Sequence, residues 1–189
     1  MSRVPLFLLN TVLFPGASLP LKVVEARYLD RVSDCLKRDQ PFGVCLLRSG
    51  KEVGAAGEPH PVGTLAHIEK WDMPTPGILH ILVRGGARFA VQARETHHQL
   101  VTAEVELWEP EPALEIPERY ASLVEFLQEV QAQDPEPVSA PRFADASWVG
   151  LRLAELLPME SAIKQEWLEE RDPVARLASI LEALKLRAH

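Results

Sequence analysis

The spacing of apolar residues changes once along the chain, at a cluster of prolines. Before Glu109 apolar and polar residues alternate with a period near two, which is typical of β-strands. After Pro117 apolar residues recur with a period near 3.6, which is typical of amphipathic helices. The change predicts a β-rich subdomain over residues 1–109, a Pro/Glu linker over 110–117 and a helical subdomain over 118–189.

The first part predicts seven short strands and one early helix over residues 25–37. Turn residues predict a hairpin loop over 72–77 and a further turn at Gly85-Gly86. Short strands with tight turns favour a small barrel or pseudo-barrel, because closure removes free sheet edges. The predicted strands cover residues 4–9, 18–24, 42–47, 63–71, 78–84, 88–94 and 100–108.

The second part predicts four helices that form a bundle, because each has a single apolar stripe to bury. Ser161 is the expected N-cap of the third helix. Asp172-Pro173 predicts the start of the last helix, with an aspartate cap before a proline at the first helical position. The fold class is therefore α+β. The four helices are expected over 117–132, 145–157, 161–169 and from 173 onwards.

The distribution of charge bears on the choice of partner. The 189 residues carry 20 Lys and Arg and 27 Asp and Glu, a net charge of −7. Residues 1–109 hold 12 basic and 12 acidic residues, and residues 110–189 hold 8 and 15. A nucleic-acid binder needs a basic surface to neutralise phosphates, and neither part is net basic. The composition disfavours nucleic acid as a partner.

Apolar runs are too short to indicate a membrane or secretion signal. No run approaches the roughly 18 residues of a membrane-spanning helix. The early apolar run, residues 6–9, is too short for a signal peptide, and no small-residue cleavage site follows it. We therefore expect a cytoplasmic protein with no membrane partner.

The sequence contains no complete catalytic or metal-binding motif. Cys35 and Cys45 form no Cys-x-x-Cys pair and are expected to be reduced core thiols. The neighbours His97-His98 point in divergent directions and are expected in a solvated turn. The match of residues 161–164 to Ser-x-x-Lys lacks the accompanying Ser-Asp-Asn and Lys-Thr-Gly motifs, so we assign it a structural role. The glycines of segment 50–63 lack the Gly-Lys-Ser/Thr of a phosphate-binding loop. We expect no enzyme activity and no cofactor.

Five residues are candidates for binding a partner. Trp71 and Met73 begin the predicted hairpin loop, where they form either a lid over the barrel or an exposed contact patch. Arg84 and Arg88 flank the glycine pair and either bind an acidic group or pair with neighbouring carboxylates. Trp148 lies on a predicted helix of the second part and is expected to face the barrel.

Six segments follow one another in a recognisable order along nearly the whole chain. They are Phe14-Pro15-Gly16, Leu19-Pro20-Leu21, Glu25-Ala26-Arg27-Tyr28, residues 62–68, residues 83–89 and residues 164–169. Their order and spacing resemble those of the N-terminal domain of Lon proteases. The first three resemble the opening of that family, with Val24 in place of the usual phenylalanine before Glu25. The last three resemble its Val-Gly-Thr-x-Ala-x-Ile, Val-x-Gly-x-x-Arg-Phe and Lys-Gln-x-Leu-Leu-Glu elements.

The resemblance implies a PUA-like pseudo-barrel of about six to seven strands followed by a helical bundle. It implies a stand-alone relative, since the chain ends at His189 before an ATPase or protease domain could begin. The expected function is a non-catalytic binding module that recognises unfolded or tagged polypeptides or a protein partner, with weak homodimerisation. The alternative is an RNA-binding PUA-like protein that uses a local basic patch of Arg84, Arg88 and Arg94.

Overall fold

A computed structural model describes residues 2–49, 57–134 and 140–187. The chain divides into two compact units, residues 1–109 and 110–189, called here the first and the second unit. We propose that these units are the two predicted subdomains and fold separately. Residues 50–56 of the glycine-containing segment 50–63 lie outside the described residues.

The described part of the first unit forms seven strands and one helix. Its helix, α1, lies between the second and third strands, as the apolar periodicity predicts. In chain order the elements are β1 (Ser2–Leu9), β2 (Ser18–Val23), α1 (Ala26–Arg38), β3 (Phe42–Ser49), β4 (Glu58–Pro59), β5 (Val62–Thr75), β6 (Ile78–His97) and β7 (Leu100–Leu107).

Five strands of the first unit close into a ring. The pairing order is β1-β7-β6-β5-β3, and β1 also pairs in parallel with β3. The remaining pairs are antiparallel, with β2 added to β6 and β4 added to β3. The ring confirms the predicted barrel, whereas the name PUA-like stays a prediction. Apolar side chains fill the core, namely Val4, Leu6, Leu8, Cys45, Leu65, Phe89, Val101, Ala103 and Val105.

The predicted turn at Gly85-Gly86 is wrong, because β6 continues through both glycines. Gly85 N–H donates to the carbonyl of Ala17, and its carbonyl accepts from Gly16 N–H, each at 2.8 Å. A Cβ atom at Gly85 would lie 2.1 Å from the carbonyl oxygen of Phe14. Glycine at this position therefore lets the loop before β2 approach β6 closely. Close approach of another backbone is a known reason for a glycine within a strand.

The hairpin between β5 and β6 is tighter than predicted. Thr75 pairs with Ile78, so only Pro76 and Gly77 form the turn. Gly77 has a φ of +84°, which favours glycine, and the proline before it is fixed near the φ of a turn. Residues 72–75 consequently extend β5 and project the hairpin further from the ring than the sequence suggests.

The second unit contains the four predicted α-helices. A 3-10 turn at Glu118–Tyr120 leads into α2 (Ala121–Ala132), followed by α3 (Ala146–Leu156), α4 (Ser161–Glu169) and α5 (Pro173–Arg187). Asp172 caps α5, as predicted, by accepting a hydrogen bond from Val174 N–H at 2.9 Å. Ser161 is not a cap. It is the first residue of α4, and Glu160 occupies the N-cap position without a side-chain cap bond.

Residues 110–117 do not behave as a free linker, because Glu111 is bound inside the second unit. Its carboxylate pairs with the fully buried Arg176, with N–O distances of 2.8 and 2.9 Å. Ser147 Oγ also donates to Glu111, at 2.7 Å, and Arg176 Nε donates to the carbonyl of Trp167 at 2.9 Å. The prolines are typical of a linker, but the glutamate ties this segment to α3 and α5.

Candidate functional site

Trp71 and Met73 lie two residues apart on β5, close to the hairpin turn. They are 60% and 44% exposed, respectively. Trp71 stands opposite the buried Ile81 of β6, which in turn stands opposite Leu21 of β2. Side chains opposite one another in a sheet share a face, so the indole continues an apolar row across three strands. The exposure favours a contact patch over a lid. Trp71, Met73, Ile81 and Leu21 are called the hairpin patch below.

A small cavity adjoins the hairpin patch, and a polar row lies on the opposite face of the same strands. A hollow of about 90 Å³ adjoins Leu21 and is lined mainly by apolar side chains, Val24 and Tyr28 among them. The next row of the same three strands is Lys22, His80 and Asp72, which face the opposite side of the sheet. At this level the three strands carry an apolar row on one face and a polar row on the other, and the apolar row includes the exposed Trp71.

Arg84 and Arg88 do not converge into a clamp. Arg84 pairs with the carboxylate of Glu69 and donates to the carbonyl of Gly16 at 2.9 Å. Arg88 is only 6% exposed, and its guanidinium lies 4.8 Å from the centre of the Trp108 ring. The two arginines are therefore held by groups of their own unit.

The third arginine of the predicted basic patch also has an acidic neighbour. Arg94 lies 3.9 Å from the carboxylate of Glu58, and both side chains are exposed. At this separation the attraction is modest and screened by salt. All three arginines of the hypothetical RNA-binding patch thus have partners within the first unit.

Trp148 lies in the second unit, on α3. It is half-buried and packs edge-to-face against Phe143, with ring centres 5.3 Å apart. Aromatic pairs of this geometry contribute about 0.5–1.5 kcal/mol beyond the area they bury. This packing gives Trp148 a role inside its own unit. That Trp148 also binds a partner stays a proposal.

The residues considered for chemistry occupy structural positions. Across residues 2–49, 57–134 and 140–187 no three His, Cys, Asp or Glu side chains are grouped to hold a metal ion. His98 and Gln99 have φ values of 51° and 65° and form the turn after β6. Lys164 Nζ donates to the backbone carbonyl of Glu155 at 2.9 Å, and burial lowers the pKa of this lysine.

The two thiols are buried groups of the first unit. Cys35 and Cys45 are both buried and unpaired, as predicted. Burial raises the pKa of the Cys45 thiol to about 12, so it is a neutral core group at physiological pH. None of the helices that the structure describes has the length and apolar character needed to cross a membrane.

Solved structures share this fold along nearly its whole length. A Lon N-terminal domain protein from Xanthomonas campestris superposes with a TM-score of 0.83 and 36% identity, covering 96% of this chain and 98% of that one. The N-terminal domain of a Lon protease from the Mycobacterium avium complex gives a TM-score of 0.68 at 17% identity, over 96% of this chain and 97% of that one. At that identity the second likeness concerns the fold alone. The architecture is that of a Lon N-terminal domain.

The sequence comparison identifies the family. Residues 3–185 match the model of the ATP-dependent protease La (LON) substrate-binding domain, so the chain belongs to this family. Lon protease 2 of Myxococcus xanthus is 30% identical over 186 residues, which cover 93% of this chain and 22% of the protease. A Lon protease of Anaeromyxobacter dehalogenans is 29% identical over the same shares. The chain spans about a fifth of the length of these relatives.

Proposed function

We propose that this chain is a non-catalytic module that binds exposed apolar segments of polypeptides through the hairpin patch. The observation that carries the proposal is the exposure of Trp71 and Met73 on a domain of the Lon substrate-binding family. Large apolar side chains exposed together mark interaction surfaces, and tryptophan is enriched among residues that dominate binding energy. A cytoplasmic location and a weak homodimer remain untested predictions.

The edge of β5 offers a mode of binding. β3 pairs with β5 only at Thr64–Ala66, so among the described strands residues 67–75 of β5 pair on one side alone, with β6. An extended polypeptide can add to such an edge through main-chain hydrogen bonds. Pro74 has no N–H, which limits pairing to the residues before it. Apolar side chains of the added segment would then contact Trp71.

The experiment measures binding of fluorescein-labelled, unfolded casein by fluorescence anisotropy. We expect Trp71→Ala to raise the Kd about 30-fold, since a central tryptophan contributes about 2 kcal/mol or more. Phe126→Ala is the matched control, because Phe126 is an exposed aromatic residue of the second unit, 43% exposed. Neither substitution removes a buried side chain, so both melting curves are expected to stay close to that of the original protein.

Two results would contradict the proposal. One is the absence of casein binding by the original protein, and the other is an equal effect of Trp71→Ala and Phe126→Ala. The alternative function is RNA binding, and it is tested by titrating the protein with labelled poly(U) at two salt concentrations. Phosphate contacts would give an affinity that falls steeply with salt. Because Arg84, Arg88 and Arg94 are partnered, we expect no salt-dependent binding.

A further inference from the structure

A cavity of about 390 Å³ lies in the first unit, between the start of β1 and the second half of α1. This volume falls within the range of small-molecule sites. One wall is apolar and is formed by Val4, Pro5, Leu65 and Leu107. No residue of the hairpin patch lines this cavity, so it is a separate candidate site.

The opposite wall is one face of α1. Arg31, Asp34, Cys35 and Arg38 follow one another at helix positions i, i+3, i+4 and i+7, and all four line the cavity. Arg31 Nη2 donates to Thr102 Oγ1 at 3.4 Å, which uses one of its five N–H groups. In the described part of the chain, the guanidinium of Arg38 forms neither a hydrogen bond nor an ion pair.

The charges of this wall do not cancel. Arg3 of β1 also lines the cavity, but its guanidinium pairs with Glu95 at 2.9 Å. Glu104 stands opposite Arg3 on β7 and is exposed, outside the lining. Two guanidiniums of α1 against the single carboxylate of Asp34 leave one positive charge, 2 − 1 = +1.

The pKa of the Cys35 thiol is affected by all three of these charged groups. Burial raises the pKa of its thiol, and Asp34 raises it further, whereas Arg31 and Arg38 lower it. Arg31 and Arg38 lie four residues before and three residues after Cys35 on α1, so both share its face of the helix along the cavity wall.

We infer that this cavity binds a carboxylate carried on a short apolar body. The guanidiniums of Arg31 and Arg38 offer paired N–H donors that match the two oxygens of a carboxylate. The apolar wall across from them removes the rest of the ligand from water. Two sources present this chemistry, a free apolar carboxylic acid and the C-terminal residue of a polypeptide. The inference does not depend on the hairpin patch.

The test is an NMR titration of the full chain at low salt, with the backbone amides of α1 as reporters. The probes are N-acetyl-leucine, its neutral amide, and an acetylated alanine peptide that ends in leucine, as the acid and as the amide. We expect both acids to shift the α1 amides and neither amide to do so. Arg38→Gln is expected to raise the Kd of N-acetyl-leucine about tenfold, as for the loss of a charged hydrogen bond.

Lys37→Gln is the matched control, because Lys37 is exposed on the same helix and does not line the cavity. If the peptide acid binds more tightly than N-acetyl-leucine, the ligand is a polypeptide end; equal affinities indicate a free acid. Equal binding of an acid and its amide, or equal effects of Arg38→Gln and Lys37→Gln, would overturn the inference. Trp71→Ala leaves N-acetyl-leucine binding unchanged, which separates this result from that of the casein experiment.

Discussion

The two units differ in how deeply they bury their ion pairs. In the first unit the core is apolar, and an ion pair such as Arg3–Glu95 has both side chains more than half exposed. In the second unit a complete ion pair, Glu111–Arg176, is buried, with side-chain exposures of 7% and 0%. A closed ring of strands satisfies most backbone groups by pairing, so its core is largely apolar. Thr64 is a fully buried polar exception, and it donates to the carbonyl of Leu13 at 2.7 Å.

The second unit contains an irregular segment that pairs with no strand and belongs to no helix. Residues 110–117 contain neither helix nor strand, so no regular backbone pattern fixes their position. Glu111 supplies the missing contacts by accepting from Arg176 and Ser147. Arg176 further donates to the carbonyl of Trp167, just before the end of α4. We conclude that a buried polar cluster of Glu111, Arg176 and Ser147, called the polar node below, joins an irregular segment to three helices.

Among the predictions made here, substitution of Arg176 in the polar node is expected to give the largest loss of unfolding free energy. Arg176→Met keeps an unbranched apolar stem but removes the guanidinium, which leaves the carboxylate of Glu111 without its counter-charge. Removing one partner of a buried pair costs about 3–5 kcal/mol of unfolding free energy. Urea unfolding, followed by the fluorescence of the buried Trp167 and by hydrogen exchange of α3 and α5, measures this loss in the second unit.

The exposed pair of the first unit is the control. Arg3→Met removes the partner of Glu95 in water, where an ion pair contributes about 0–1 kcal/mol. Similar losses for Arg176→Met and Arg3→Met would mean that the two units do not differ in the way described. Adding Glu111→Leu to Arg176→Met is expected to restore part of the stability, because no unpaired carboxylate then remains buried.

High pH is expected to weaken the first unit through Cys45. Burial raises the pKa of this thiol from 9.0 to about 12 in the folded protein. Below pH 9 the thiol is neutral in both states, and its contribution is complete. Above pH 9 only the unfolded state releases the proton, so stability falls by about 1.4 kcal/mol per pH unit, or about 3 kcal/mol by pH 11.

The matched variant is Cys45→Ala, which has no thiol to titrate. Urea unfolding of both proteins between pH 8 and pH 11 gives the difference in unfolding free energy, in which the other titrating groups cancel. We expect the advantage of the original protein to shrink as the pH rises. A constant difference across this range would show that the Cys45 thiol ionises alike in both states.

The strands and helices could be predicted because their signals are local. Alternation along residues 100–107 and the Asp172-Pro173 pair each depend on neighbouring residues. Gly85 misled the prediction because its reason is the approach of a loop about 70 residues earlier in the chain. Without the third dimension, a glycine pair in a strand looks like a turn.

The surroundings of the candidate site residues depend on contacts that are distant in sequence. Trp71 and Met73 stand out as large apolar residues near a turn, and their exposure supports that choice. The sequence predicts a charge at a strand end for Arg88, but the side chain is 6% exposed and its guanidinium lies over the ring of Trp108, 20 residues away. The sequence also carries a signal at Arg176, since this residue lies on the same helical face as the buried Pro173, Leu177 and Ile180. A charge in an apolar stripe indicates a buried partner.

The smallest expected loss of unfolding free energy comes from removing a helix N-cap, a feature in which α3 and α1 differ. In the second unit Asp145 caps α3 by accepting from Ser147 N–H at 3.0 Å, whereas α1 of the first unit begins after Glu25 without a side-chain cap bond. Asp145→Ala is therefore expected to cost about 1 kcal/mol, and Asp145→Asn, which keeps an acceptor oxygen, only a few tenths. Urea unfolding measures both. Because Ser147 also donates to Glu111, fraying of α3 should spread to the buried node, and faster hydrogen exchange at α5 would reveal it. Exchange that quickens in α3 alone would show that the cap and the node act independently.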